Sequence, residues 1–303
     1  MDNPRLHTAI FMILVSTIFL FSPQLLRADS QGRELMAAVL DRNDGTTEWG
    51  KISLSTCRTR IKDGKLICAG PARVKELEMV RKDYGPREKD KKTLTLIREP
   101  AGERGISFLQ YDYEALGKET DQWLFLTALG KVKRIVSGNE NEPKTGSFFG
   151  SEFNYEDLEQ KLVEEFTYKI LGHEKFQGVN CTVIQALPTP DKARRSNYSK
   201  ALHWIDPGKN MILKSLLFNR RGEKCKRIYA LDIRRVEGIW VPFTQIVHNP
   251  IEQRRSVFTY QAITLNRPLP DALLSRRSLT DAAFRETRFR ALSGSPTQNG
   301  TTP

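Results

Sequence analysis

The sequence carries no catalytic signature. It has no Gly-x-Ser-x-Gly nucleophile elbow, no Gly-Lys phosphate loop and no His-Glu-x-x-His motif. Only 4 histidines occur, and His173, His203 and His248 stand too far apart for ligand spacing. The 4 cysteines, at positions 57, 68, 181 and 225, do not have the spacing of a metal site. Together these absences exclude the common hydrolase, nucleotide-binding and zinc-protease designs, and no cofactor is expected. After Phe21 no apolar run approaches the about 20 residues that a bilayer-spanning helix needs. Long amphipathic helices are scarce as well, which leaves strands to build the molecule.

The first stretch has the features of a secretory leader. Arg5 supplies a short positive region, Ala9 to Phe21 an apolar run, and Ser22-Pro23 a break. Leu26-Arg27-Ala28 ends on a small residue, so cleavage is expected near Ala28, an uncleaved anchor being the alternative. No cysteine follows the apolar run to accept a lipid. The expected location is therefore the periplasm. The formal charge is +12. In an exported chain, with no recognition helix or aromatic RNA-binding strand, nucleic acid is not the expected partner. The excess fits transient contact with a membrane surface of anionic head groups, or simple solubility.

Beyond the leader, Ser30 opens a short helix with Leu35, Met36, Val39 and Leu40 on one face, stopped by Asn43-Asp44-Gly45. Strand then follows strand to Leu265, punctuated by turn residues. Several strands do not alternate apolar with polar. Trp123 and Phe125 point one way while Leu124 and Leu126 point the other, and Met211-Ile212-Leu213 leads on to Leu216-Leu217-Phe218. Both faces of the sheet need cover, yet only three or four short helices are available. Curling the sheet around an apolar hollow satisfies the remaining surface, and such a hollow is a ligand site. The expected fold is mainly β: a curved antiparallel sheet of about eleven strands forming an incomplete barrel, with short helices as a lid. Residues 1–28 form the leader, 29–280 this half-barrel domain, and 281–303 a short helix and disordered tail.

Cys57 and Cys68 flank a hairpin turn and form a candidate disulfide, which an exported chain can oxidise. A turn at Lys62-Asp63 sets them opposite one another, and a turn at Asp63-Gly64 offsets them. Glu152, Glu156, Asp157 and Glu159 cluster beside an aromatic loop. They either favour a helix start or serve docking, with Glu152, Glu156 and Asp157 the docking candidates.

Two segments go beyond composition. One runs Gln122-Trp123-Leu124-Phe125-Leu126-Thr127-Ala128-Leu129-Gly130-Lys131-Val132-Lys133-Arg134-Ile135. The other runs Ser147-Phe148-Phe149-Gly150-Ser151-Glu152-Phe153-Asn154-Tyr155-Glu156-Asp157-Leu158. Together they resemble the outer-membrane lipoprotein-sorting protein family, whose domain is similar to the carriers LolA and LolB. Gly178-Val179-Asn180-Cys181, Trp204-Ile205-Asp206 and Gly238-Ile239-Trp240-Val241-Pro242 extend the resemblance from about Met36 to Leu279. Thr127, Phe149 and Glu152 depart from the usual Pro, Met and Asp. The resemblance implies a half-barrel whose apolar cavity takes the acyl chains of a lipid or lipidated protein. It implies as partner, in some members, an exporter of the resistance-nodulation-division (RND) type, on which a non-carrier accessory subunit could dock. Trp123, Phe125, Phe148 and Phe149 are the candidate lipid contacts, with Trp204 and Trp240 beside them. Ordinary core packing is the other role open to each.

Overall fold

A computed structural model describes residues 23–139 and 141–293. The leader up to Ser22 and the last ten residues lie outside the described residues. Helix α1 (Pro23–Leu40) begins seven residues before the expected start at Ser30. Strands β1 (Thr47–Lys62), β2 (Lys65–Cys68), β3 (Arg73–Tyr84), β4 (Asp90–Glu99), β5 (Ser107–Asp112), β6 (Asp121–Leu126) and β7 (Lys131–Ile135) follow in a meander. A crossing segment carries a short helix, α2 (Tyr155–Leu158). Then come β8 (Phe166–Phe176), β9 (Val179–Pro188), α3 (Pro190–Arg195), β10 (Tyr198–Asp206), β11 (Met211–Asn219), β12 (Lys224–Val236), β13 (Ile239–Asn249) and β14 (Arg254–Leu265). The chain ends on α4 (Arg277–Thr280) and α5 (Ala282–Ser293).

All fourteen strands belong to one antiparallel sheet, against about eleven expected. Two long stretches divide: Lys65–Lys82 into β2 and β3, and Asp121–Val136 into β6 and β7 around a 3-10 turn at Thr127–Leu129. The order is β7-β6-β5-β4-β3-β1-β14-β13-β12-β11-β10-β9-β8, with β2 a branch on β1. The first and last strands pair at the centre, and β7 and β8 are the two free edges. The sheet is thus an open, curled half-barrel. Register shifts that leave an extra residue on β4, β8, β10, β11, β12 and β14 increase the curl, because a bulge bends its strand and adds twist. Gly50 lies under the ring of Tyr260, where an added Cβ would come within 2.8 Å of it, so β1 and β14 approach more closely than a side chain permits.

Because β7 and β8 are neighbours in sequence but opposite edges in space, their connection must cross the open side. That segment is the aromatic loop. Phe148, Phe149, Phe153 and Tyr155 pack onto the inner face against Ile52, Leu54, Leu77, Ile97 and Phe108. Two buried glutamines tie it down. Gln110 donates to the Leu158 carbonyl at 2.8 Å, and Gln122 to the Tyr155 carbonyl at 3.1 Å. On the outer face of the same strands, Val80, Leu94, Leu96, Leu109 and Trp123 are covered by Leu269, Leu273, Leu274, Leu279 and Phe289 from the C-terminal segment. Helix α5 is locked there by Arg98, which donates to both carboxylate oxygens of Glu286 at 2.8 Å. The buried Arg285 caps α4 by donating to the carbonyls of Ser278 and Leu279.

The other arm is dressed differently. Helix α1 lays Leu35, Met36, Val39 and Leu40 across the inner face of β8–β11, against Tyr168, Ile184, Ala186 and Ile205. This is the helix face expected from spacing. Among the described residues no helix belongs to the outer cluster of Cys181, Val183, Trp204, Met211 and Leu213.

Candidate functional site

The inner face of the second arm is incompletely filled. Between α1 and strands β8–β12 lies a cavity of 240 Å³. Met36 and Leu40 of α1 roof it, and Tyr168, Ala186, Ala201, Ile212, Leu217 and Ile228 form its apolar wall. These positions follow from strand alternation: Ala201 and His203 face inward on β10, while Leu202 and Trp204 face out.

One end of the cavity is polar. Asp157 accepts from the Tyr198 hydroxyl at 2.7 Å and from the Asn154 amide at 2.7 Å, and it pairs with Lys226. Burial and the adjacent Asp157 carboxylate push the Tyr198 phenol well above its ordinary pKa. Glu156 accepts from the Asn197 amide at 2.7 Å and its side-chain amide at 2.8 Å, and from the Ser196 hydroxyl. Glu152 is held by Arg254 at 2.8 Å and by Asn249 at 3.0 Å. The acidic patch expected to dock a partner is therefore turned inward. Glu152 and Glu156 are 7% and 4% exposed and the Asp157 side chain 4%, because each neutralises a buried donor set. The Asn154–Asp157 pair also makes a capping box for α2.

His203 lies in the cavity wall with Nδ1 2.8 Å from the Ser215 hydroxyl. Burial, with help from the Lys161 ammonium, lowers its pKa to about 4, so the ring is neutral at neutral pH. Among the described residues no carboxylate is hydrogen-bonded to the His203 ring. Lys161 and Leu40 join the cavity to its neighbour. The Lys161 ammonium donates to the Glu156 carbonyl at 2.6 Å, and among the described residues it meets no carboxylate. It lines both the apolar cavity and an adjoining polar cleft of 500 Å³ bounded by Arg42, Arg81, Lys91, Gln110 and Asp112.

None of the six aromatic candidates lines the cavity. Phe148 and Phe149 share the inner face but are packed into the other arm, with ring centroids 4.2 Å apart and Phe148 edge-on to Phe108 at 5.4 Å. Phe149 has φ of +50°, a left-handed conformation that costs a non-glycine residue about 1 kcal/mol. It is held by Lys75, which donates to its carbonyl at 2.9 Å. Trp123 and Phe125 are on the outer face beneath the C-terminal segment. Trp204 is on the outer face of the second arm, donating to Glu174 at 2.6 Å, with Trp240 in the same cluster. The cavity wall instead mixes small and aliphatic side chains such as Ala201, Ile212 and Ile228 with the rings of Phe166, Tyr168 and Tyr198. The inward alternation of Ala201, His203 and Ile205 was the available signal.

Cys57 and Cys68 are joined by a disulfide, with Cα atoms 5.7 Å apart. The turn is Asp63-Gly64, so Cys68 pairs across with Thr59 and the cysteines sit diagonally. Cys181 and Cys225 are free, and burial raises both thiol pKa values. Among the described residues no cluster of His, Cys, Asp or Glu could hold a metal, and no helix is long and apolar enough to cross a membrane.

An open curled sheet with a helix-roofed hollow on its concave side defines a LolA-like half-barrel. Three solved structures share it. A DUF1329 family protein from Desulfovibrio piger is 22% identical with a TM-score of 0.72 over 83% of this chain and 99% of that one. An outer membrane lipoprotein-sorting protein domain from Vibrio parahaemolyticus is 23% identical with a TM-score of 0.71 over the same shares. A LolA superfamily protein from Nitrosomonas europaea is 17% identical with a TM-score of 0.58, again over 83% and 99%. Residues 89–281, more than half of the chain, match a family described as an uncharacterized protein family, and the chain belongs to it. No curated protein matches it by sequence.

Proposed function

We propose that this chain is an exported, non-enzymatic periplasmic carrier that takes an acyl chain of a lipid or lipidated protein into the hollow under α1. The observation that carries this reading is the junction of two unlike spaces. An apolar cavity meets a polar cleft at Leu40 and Lys161. An amphiphile needs that arrangement, with its tail in the first and its head in the second.

The size of the hollow limits the cargo. At about 30 Å³ per water-sized group, 240 Å³ holds roughly eight methylenes, one chain segment and not several. Burying about eight methylenes contributes roughly 6 kcal/mol before ordering costs. That is enough to hold a chain and little enough to release it. Helix α1 is the natural door. Besides its apolar face it is tied by Arg33, which pairs with Glu164 at 3.0 Å, both half exposed. Such a pair contributes under about 1 kcal/mol. No observation favours an accessory subunit that docks on an exporter, since Glu152, Glu156 and Asp157 are internal.

The test is organic extraction and mass spectrometry of protein purified from the periplasm without detergent. A stoichiometric acyl lipid supports the carrier. A protein that comes out empty and also fails to take up a fluorescent fatty acid contradicts it.

A further inference from the structure

The β1–β2 hairpin stands apart from the rest of the sheet. Strand β2 pairs only with the end of β1 and lies off the main strand path, so the tip has no neighbour beyond its own two strands. Its turn residues Asp63 and Gly64 both have positive φ, 51° and 71°, which is the tight turn whose twist suits a two-stranded ribbon. The Cys57–Cys68 disulfide staples its base.

Two properties of this ribbon are costly unless they serve something. Ile61 and Leu66 face each other across the strands at the tip, 77% and 37% exposed. Ile61 is the most exposed large apolar side chain among the described residues. Around this pair, the segment from 57 to 73 holds Arg58, Arg60, Lys62, Lys65 and Arg73 against Asp63 alone. All five cations are exposed, and none has a carboxylate partner among the described residues. At the base, Arg58 sits directly opposite Arg254 in the β1–β14 register, with Arg255 opposite Cys57. Like charges facing across strands destabilise the pair, and of these three arginines Arg254 is offset by Glu152 at 2.8 Å.

We propose that this hairpin is a membrane-docking finger that inserts Ile61 and Leu66 into the interface of an anionic leaflet while the surrounding cations meet its head groups. Charge complementarity selects the occupant. A neutral apolar partner would leave five unpaired cations desolvated, whereas an anionic surface satisfies them and accepts the apolar pair at the headgroup–acyl boundary. The finger also stands beside the aromatic loop. Arg254, which lines the hollow at the hairpin base with Cys57, Arg58 and Arg73, donates to the Gly150 carbonyl at 2.9 Å. Docking therefore brings the open side of the barrel toward the bilayer. The proposal stands independently of what the cavity carries.

The experiment is flotation of the full chain with vesicles of equal parts phosphatidylcholine and phosphatidylglycerol, and with vesicles of phosphatidylcholine alone. Binding is expected to the first and not the second, and to weaken with salt. Each basic residue near such a surface contributes about fivefold in affinity. Arg60→Gln with Lys62→Gln should therefore lose about 25-fold, and Ile61→Asp about tenfold. Lys131→Gln with Lys133→Gln, an exposed pair on the β7 edge, serves as a charge-matched control. Circular dichroism checks that each variant is folded, which the exposure of all these side chains leads us to expect. Absence of binding to the anionic vesicles, equal binding to both vesicle types, or hairpin variants that behave like the control would each overturn the proposal.

Discussion

The two arms of the half-barrel solve one problem in opposite ways. Strands β3–β6 are apolar on both faces and both faces are filled, by the Phe148–Tyr155 segment inside and by residues 269–289 outside. Strands β8–β12 are also apolar inside, but α1 and the end of the crossing segment cover them incompletely and leave 240 Å³ unfilled. The difference lies in who does the covering. In the first arm the covering segments are held by the buried Gln110 and Gln122 and by the part-buried, two-pronged Arg98–Glu286 pair. In the second, α1 has an exposed ion pair and an apolar face. The lesson is that the aromatic loop marks the filled arm, while the unfilled space lies under α1 in the other.

The sharpest way to break this comparison is to put a charge into each arm. Phe148→Asp should abolish folding or leave a chain without a cooperative thermal transition, because Phe148 is 4% exposed and stacked among Phe108 and Phe149. A folded Phe148→Asp protein with weakened lipid uptake would instead make that loop a lid. Next in size is the outer cover. Phe289→Ala should cost about 3–5 kcal/mol in urea unfolding, since its ring is buried on Leu94, Leu96 and Trp123 and stacked by Arg98. A loss below 1 kcal/mol would mean that α5 is an appendage and that the filled arm is filled on one side only.

The hollow arm is expected to reveal itself through pH. His203 is neutral in the folded chain, with its pKa lowered to about 4, and returns to about 6.5 on unfolding. Between those values the unfolded chain binds more protons, so this contribution to stability is complete above pH 6.5 and is lost as pH falls toward 4. The full effect is at most about 3 kcal/mol, reduced by whatever water reaches the ring in the cavity. His203→Gln should flatten that part of the stability profile, and an unchanged profile would place the ring in solvent. The smallest effect concerns neither arm. Reducing the Cys57–Cys68 bridge should lower stability by no more than about 2–3 kcal/mol, because it closes a short loop at the rim of the sheet.

Much of the fold could be read from the residues. Two-faced strands such as Trp123–Leu126 foretold a sheet covered on both sides, and the Leu35–Met36–Val39–Leu40 spacing foretold the face of α1. The family resemblance supplied the half-barrel itself. The site was harder to read, for reasons of distance along the chain. Glu156 and Asp157 look like a surface patch because their partners, Asn197, Tyr198 and Lys226, lie 41 to 69 residues away. The part played by Leu269, Leu273, Leu274 and Leu279 was equally hidden, since it shows only when they are set against β3–β6. The six aromatic candidates fall outside the hollow, because a Phe that fills space and a Phe that lines it look identical in sequence. Pairing β1 with β14 puts β7 and β8 at opposite edges, and that topology alone turns the aromatic loop into a plug.

The central claim is that the hollow under α1 is the binding site. The direct measurement is a fluorescent fatty acid titration of the wild-type chain and of Ala201→Phe, which fills the cavity from its wall while leaving the filled arm untouched. Uptake by the wild type, and at least tenfold weaker uptake by a variant that melts at or above the wild-type temperature, is the predicted result. Equal uptake by both would place the acyl chain elsewhere and contradict the account.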